Sequence, residues 1–329
     1  MKNIIVLILM SIFALTACLS DRQQGINSLQ TDVKVFRYDR LQYEAVALNS
    51  FSAMQKMSLD CPQATKILIE EVLGLGRVNE PAINERLCAY YSDSVLLKLM
   101  EDAESKFKDM TWIEEGLTDG FRNLVREVPE IPVPRIYAQI SALNQSVVVG
   151  DSLVGFSLDK YMGEDYPLYQ KYYYAYQRRS MNPERILPDC FTFYLMSYYP
   201  FHWMPNHRSL FDIIMHQGKI NWVVKHILKL KSDAAVLGYT EDESRWCKKN
   251  RKKIWEWMKS QGHLSSTDPM VVRAYTHPDP SAVFNGEKIP PVIGVWMGMQ
   301  LVQKYMDEHP DLSIKELLET QYFDDLSLN

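Results

Sequence analysis

Seven histidines and five cysteines are the scarcest side chains of this 329-residue chain suited to ligating a metal ion or acting as a base or nucleophile. A zinc-dependent hydrolase of the commonest kind needs two histidines at i and i+4 on one helix, with a glutamate beside the first to activate the metal-bound water. His202, His207, His216, His226, His263, His277 and His309 include no pair at i, i+3 or i, i+4. No metal and no catalytic residue is therefore expected. Cys61, Cys88, Cys190 and Cys247 form no CxxC pair, which weighs against a redox or zinc-knuckle role and leaves zero to two disulfides open. There is no GxSxG elbow and no glycine loop for phosphate.

The remaining candidates each have a plainer role. His216 shares a helical face with Ile213, Ile220, Val223 and Ile227, where a lone histidine is usually a packed core residue, although Gln217, Gly218 and Lys219 lie beside it. Asp159 and Asp165 could be paired carboxylates, but their places around Gly163-Glu164 suit turn and cap residues. The Tyr172–Tyr176 run could stack on sugars, yet its four tyrosines cannot share one helical face. Trp246, Asn250, Ile254 and Trp257 recur at three and four, which suits packing. Gly294 and Gly298, flanking Trp296, predict close approach of a neighbouring helix.

Cys18 has the clearest chemistry. It follows Leu15-Thr16-Ala17 at the end of a leader with one basic residue, Lys2, and an almost wholly apolar run from Ile4 to Ala14. That run falls short of the roughly 20 residues of a membrane span. It reads as a lipoprotein signal, with residues 1–17 removed and acyl chains such as palmitate placed on Cys18. Each buried CH₂ contributes about 0.8 kcal/mol, so two or three chains hold firmly where one does not. Residues 18–31 then form a polar tether and residues 32–329 a single body, since no linker, repeat or charge block divides it. Cleavage takes the formal charge from −5 to −6. That weighs against nucleic acid and anionic lipid as partners.

Apolar spacing predicts helices from Cys61 to about Val128, over Leu168–Arg179, Pro183–Tyr199, Ser209–Leu230, Glu241–Gln261, Pro291–Glu308 and Ser313–Thr320. His202–Arg208 and His263–Lys288 read as loops. Thr240 with Glu243 predicts a capping box. Between the helices, Arg135–Ser141 and Ser146–Leu158 alternate in β fashion, which predicts a small antiparallel sheet with turns at Ala142–Gln145 and Gly150–Ser152. The expected class is α+β, predominantly helical.

Several segments, in order over roughly Val33 to Leu318, together resemble one family. Asp159-Lys160-Tyr161-Met162-Gly163 is similar to a Leu-Asp-Lys/Arg-Tyr-Leu-Gly motif, and Met215-His216-Gln217-Gly218-Lys219 to Ile-x-x-Gly-Lys. Leu237-Gly238-Tyr239-Thr240 with Trp246-Cys247, Asn250 and Trp255 is similar to Gly-Tyr-Thr…Trp-Cys-x-x-Asn…Trp. Pro290–Val302, with Gly294, Trp296 and Gln300, resembles Pro-Gly-Arg-Ile-Gly-x-Trp-x-Gly-Trp-Gln-Ile-Val. These are motifs of the gliding-motility lipoprotein B (GldB) family. Pro291-Val292 stands where Gly-Arg is usual, and Met299 where Trp is usual, which bears against any site built on that arginine.

The resemblance implies a scaffold distantly like zincin peptidases but without their metal ligands, whose HExxH would fall near Cys190–Tyr194. On that geometry Asp159, Tyr161, His216 and Lys219 are expected to meet in one cleft, Lys219 and Asp159 pairing across it. Tyr239, Trp246, Asn250, Trp255, Gly294, Trp296 and Gln300 are expected to be structural. The implied function is that of a membrane-anchored envelope lipoprotein with a periplasmic body. It would be a non-enzymatic accessory or binding component of the gliding or protein secretion machinery, with envelope proteins as partners and no cofactor beyond the lipid on Cys18. A peptidase-like hydrolase and a glycan-binding lipoprotein are the alternatives.

Overall fold

The computed structural model describes residues 32–278 and 289–323, with the backbone of Val283–Phe284 and Glu287–Lys288; the expected leader, Cys18 and the expected tether lie outside the described residues. Strand β1 (Val35–Arg37) runs into helix α1 (Tyr38–Ala47), followed by α2 (Phe51–Leu59), α3 (Pro62–Lys66) with the π-helical Ile67–Val72, α4 (Ile83–Tyr91), α5 (Ser94–Lys106) and α6 (Thr111–Glu127). Strands β2 (Arg135–Gln139), β3 (Val147–Gly150) and β4 (Leu153–Ser157) come next. The chain then returns to helix in α7 (Pro167–Tyr172), α8 (Ala175–Arg178), α9 (Ile186–Tyr198), α10 (Leu210–Ile227), α11 (Asp233–Leu237), α12 (Glu241–Ser260) and α13 (Pro269–Thr276). The two-residue strands β5 (Val283–Phe284) and β6 (Glu287–Lys288), α14 (Ile293–Glu308) and α15 (Ile314–Glu319) complete it. Mostly helical with one small four-stranded sheet and a two-stranded pairing of β5 with β6, the body is α+β.

Local signals start many of these helices. Ser50, Asp93, Ser209, Ser232, Thr240, Asp268 and Ser313 each accept a backbone N–H of the first turn with their side chains. The expected box at Thr240 is formed, Glu243 reaching back to the Thr240 N–H at 2.9 Å. In α12 the acids Glu241, Asp242 and Glu243 occupy the first turn and Lys259 the last, the order the helix dipole favours.

The sheet departs from the sequence expectation. It is mixed, in the order β1-β2-β4-β3, with β2 parallel to both β1 and β4 and only β3–β4 antiparallel. The β3–β4 hairpin turns at Asp151-Ser152 as expected, but Ala142–Gln145 is no hairpin turn, because β4 inserts between β2 and β3. Burial explains the order: Leu153–Ser157 is buried at every position and takes a central place, whereas β3, buried only at Val147, takes the edge. β1 was not legible, since three residues carry no periodicity. Within the expected loop 263–288 the chain forms α13, started by the Asp268 cap and Pro269 at the first helical position.

One continuous hydrophobic cluster runs from Val33 to Phe323. Its tightest helix pair is α10 against α14. A Cβ on Gly298 would run into the Ile214 carbonyl, and one on Gly218 into the backbone of Gly298, so the two helices touch backbone to backbone. Gly294 likewise lies against Tyr275 of α13 and Ile214, the close approach its spacing predicts.

Candidate functional site

The four residues expected in one cleft are used in two places. The Asp159 carboxylate, fully buried just after β4, accepts the backbone N–H of Ser141 at 2.9 Å and of Leu143 at 2.5 Å, and the Ser141 hydroxyl at 3.2 Å. It thereby fixes a loop in which Ala142 and Leu143 both have positive φ. Lys160 closes the same loop through the Leu143 carbonyl and lies over the Tyr173 ring. The Tyr161 hydroxyl donates to Asp189 at 3.0 Å, and Asp189 is paired at 2.5 Å with Arg185, which in turn reaches the Val236 carbonyl. This buried chain ties the end of the sheet region to α9 and α11. Tyr161 thus does reach the neighbourhood of Cys190–Tyr194, where Phe191 packs on Phe121 with ring centres 4.6 Å apart.

His216 and Lys219 lie together on α10, lining a small cavity of about 240 Å³ with Tyr198, Tyr199, Phe201 and His202. Burial first, then the charge of Lys219 and His202, holds the His216 imidazole down to about 4, so it is neutral at ordinary pH. Burial also lowers Lys219 to about 8. Its ammonium donates to the carbonyls of Leu318, at 2.8 Å, and Thr320, closing the C-terminal end of α15. Lys219 and Asp159 are therefore not paired across a cleft: each is satisfied by backbone groups of another segment, Leu318 and Thr320 for Lys219 and Ser141 and Leu143 for Asp159.

Tyr239 donates to the Pro291 carbonyl at 2.6 Å, joining the start of α12 to the entry of α14. Gln300 reaches Asp233, which also holds Lys225. Trp255 and Trp296 are buried, and Asn250 donates back to the Trp246 carbonyl. Trp246 itself is only half-buried. Cys61, Cys88, Cys190 and Cys247 are free thiols; burial pushes Cys190 up, and Cys247 up to about 12. Among the described residues no three His, Cys, Asp or Glu side chains converge to hold a metal ion.

Trp246 forms part of the wall of a spacious cleft, about 840 Å³, between α8, the first turn of α12 and the Pro290-Pro291 segment. Tyr174 and Tyr176 stand nearly parallel there, ring centres 5.8 Å apart and planes 10° apart, with Tyr174 73 % exposed. Glu243 fastens the cleft twice, capping α12 with one oxygen and pairing with Arg179 through the other. Asp242 on the rim pairs with Arg245. Such a surface offers flat apolar faces between fixed charges, suited to holding a ligand. Sequence reasoning noticed the tyrosine run and the Trp246 block separately; nothing in either shows that they face each other.

A helical α+β protein with its motif residues spent on internal ties and an open aromatic cleft on its surface is what fold and site define. The chain belongs to the family described as gliding motility protein GldB, which matches residues 20–326. It is thus a member of a family of gliding-motility lipoproteins, which associates it with the cell envelope. No helix among the described residues is long and apolar enough to cross a membrane. No curated protein and no solved structure matches the chain.

Proposed function

We propose that this protein is a lipid-anchored accessory component of the envelope, held by acyl chains on Cys18 with its body in the periplasm, and that it binds another envelope protein of the gliding or secretion machinery. The reading of an accessory rather than an enzyme rests on the family and on the motif residues being satisfied by internal partners. A relation of the scaffold to zinc peptidases is supported by sequence resemblance alone.

The observation that carries the binding role is the Tyr174–Tyr176–Trp246 cleft, whose parallel rings and proline wall suit an extended segment carrying aromatic or proline side chains. Its carboxylates, Asp242 and Glu243, are paired with Arg245 and Arg179, so the aromatic and proline faces, more than charge, would select that segment. A photo-crosslinking phenylalanine analogue in place of Tyr174 tests this in intact cells. It is expected to capture a discrete envelope protein that the same analogue at Phe51, 82 % exposed and outside the cleft, does not. Identical adducts from both positions, or none from position 174, would sink the proposal.

A further inference from the structure

The cavity of about 240 Å³ on α10 is lined by two buried polar side chains whose partners are incomplete. His216, 8 % exposed, packs edge-on against the Phe201 ring with centres 5.4 Å apart. Neither of its ring nitrogens has a hydrogen-bond partner among the described residues, and neither is sealed off by protein. Lys219 is 3 % exposed, and its ammonium is met by the Leu318 and Thr320 carbonyls but by no carboxylate among the described residues. Burying an ammonium without a counter-charge is costly, and carbonyl dipoles offset only part of that cost.

The surroundings decide what kind of molecule completes the site. The charges that bear on the His216 imidazole, those of Lys219 and His202, are both positive, which opposes a metal ion or any other cation and favours an anion. Glu319, the one acid among the described lining residues, stands at the rim, its side chain 54 % exposed and 3.9 Å from Lys315. Tyr198, Tyr199 and Phe201 give flat aromatic walls. The volume is that of about eight water molecules, below the range of drug-sized sites, so one small ring with its charged group fills it.

We propose that this cavity binds a small monocarboxylate with a flat apolar body, of the size of benzoate, its carboxylate accepting the His216 N–H in the field of the Lys219 ammonium and its body lying against Tyr198, Tyr199 and Phe201. A neutral imidazole always carries one N–H, so His216 donates without being protonated. The carboxylate supplies the partner that His216 lacks and the counter-charge that Lys219 lacks. The segment Met215–Lys219 then has a use beyond packing. The site shares no residue with the Tyr174 cleft and is independent of the anchor on Cys18.

The test titrates the purified full chain, its histidines carrying carbon-13 at Cε1, with benzoate at neutral pH and follows it by NMR. The His216 signal is identified by its absence from the His216→Gln spectrum and by its failure to titrate above about pH 5. It is expected to shift saturably with benzoate and to stay in place with benzamide, which keeps the ring and lacks the charge. In calorimetry His216→Leu, which removes the donor, should weaken benzoate binding about tenfold, the loss expected for one hydrogen bond to a charged group. His216→Gln, which keeps an N–H, should weaken it less, and Lys219→Met should abolish the preference for benzoate over benzamide. An unmoved His216 signal, an equal shift with benzamide, or displacement of benzoate by equimolar inorganic phosphate overturns the proposal. All three are read on the wild-type chain, so they decide the matter even if a variant fails to fold.

Discussion

The side chains that looked most chemical serve mainly to satisfy backbone. Asp159 spends its carboxylate on the Ser141 and Leu143 N–H groups and Lys219 its ammonium on two carbonyls beyond α10. A buried ionisable group is tolerated only when such partners offset its desolvation. His216 lacks them and is held neutral, which has a measurable consequence. Its imidazole falls from the ordinary 6.5 to about 4 on folding, so between those values the unfolded chain takes up a proton that the folded chain refuses. Stability contributed by the neutral imidazole is therefore intact above pH 6.5 and is lost as pH falls towards 4. Urea unfolding at pH 7 and pH 4.5 should show wild type losing about 2 kcal/mol more than His216→Gln. Equal losses would show that another group governs the acid limb.

At the scale of elements, the α10–α14 contact organises the second half of the chain. Gly218 and Gly298 remove side-chain bulk where the two backbones meet, and Tyr275 of α13 closes on Gly294 one turn away. Gly298→Ala should force the helices apart and cost about 3 kcal/mol, the upper part of the range for overpacking. In a body of this size that lowers the melting temperature by several degrees. An unchanged melting curve would mean that the helices do not meet at this point. The same glycine spacing was visible in the sequence, because close helix approach leaves a mark at i and i+4. Sheet order left none: both β3 and β4 read as apolar alternation, and only the helices packed over them make Leu153–Ser157 central.

For the whole molecule the proposed anchor decides where the binding surfaces can act. Cys18→Ala should leave the protein without acyl label and largely released from the membrane fraction, since no helix among the described residues replaces the lipid. Metabolic labelling with an alkyne fatty acid, followed by fractionation, checks both; labelling equal to wild type would place the acyl group elsewhere. Release with retained capture by the Tyr174 photo-crosslinker would separate the tether from the cleft.

The sequence alone determined what depends on local order. The helix starts at Ser209, Thr240 and Ser313, the β3–β4 turn and the family motifs are each written in neighbouring residues. Tertiary structure decided what depends on distant segments meeting. It separated Asp159 from Lys219, turned an expected antiparallel sheet into a mixed one, and set the Tyr174–Tyr176 run against Trp246. It also laid the Tyr137 ring over Gly155 of the neighbouring strand. The physical reason is that spacing along a helix or strand records which side chains share a face, whereas the partner each face meets is chosen by burial across the whole core.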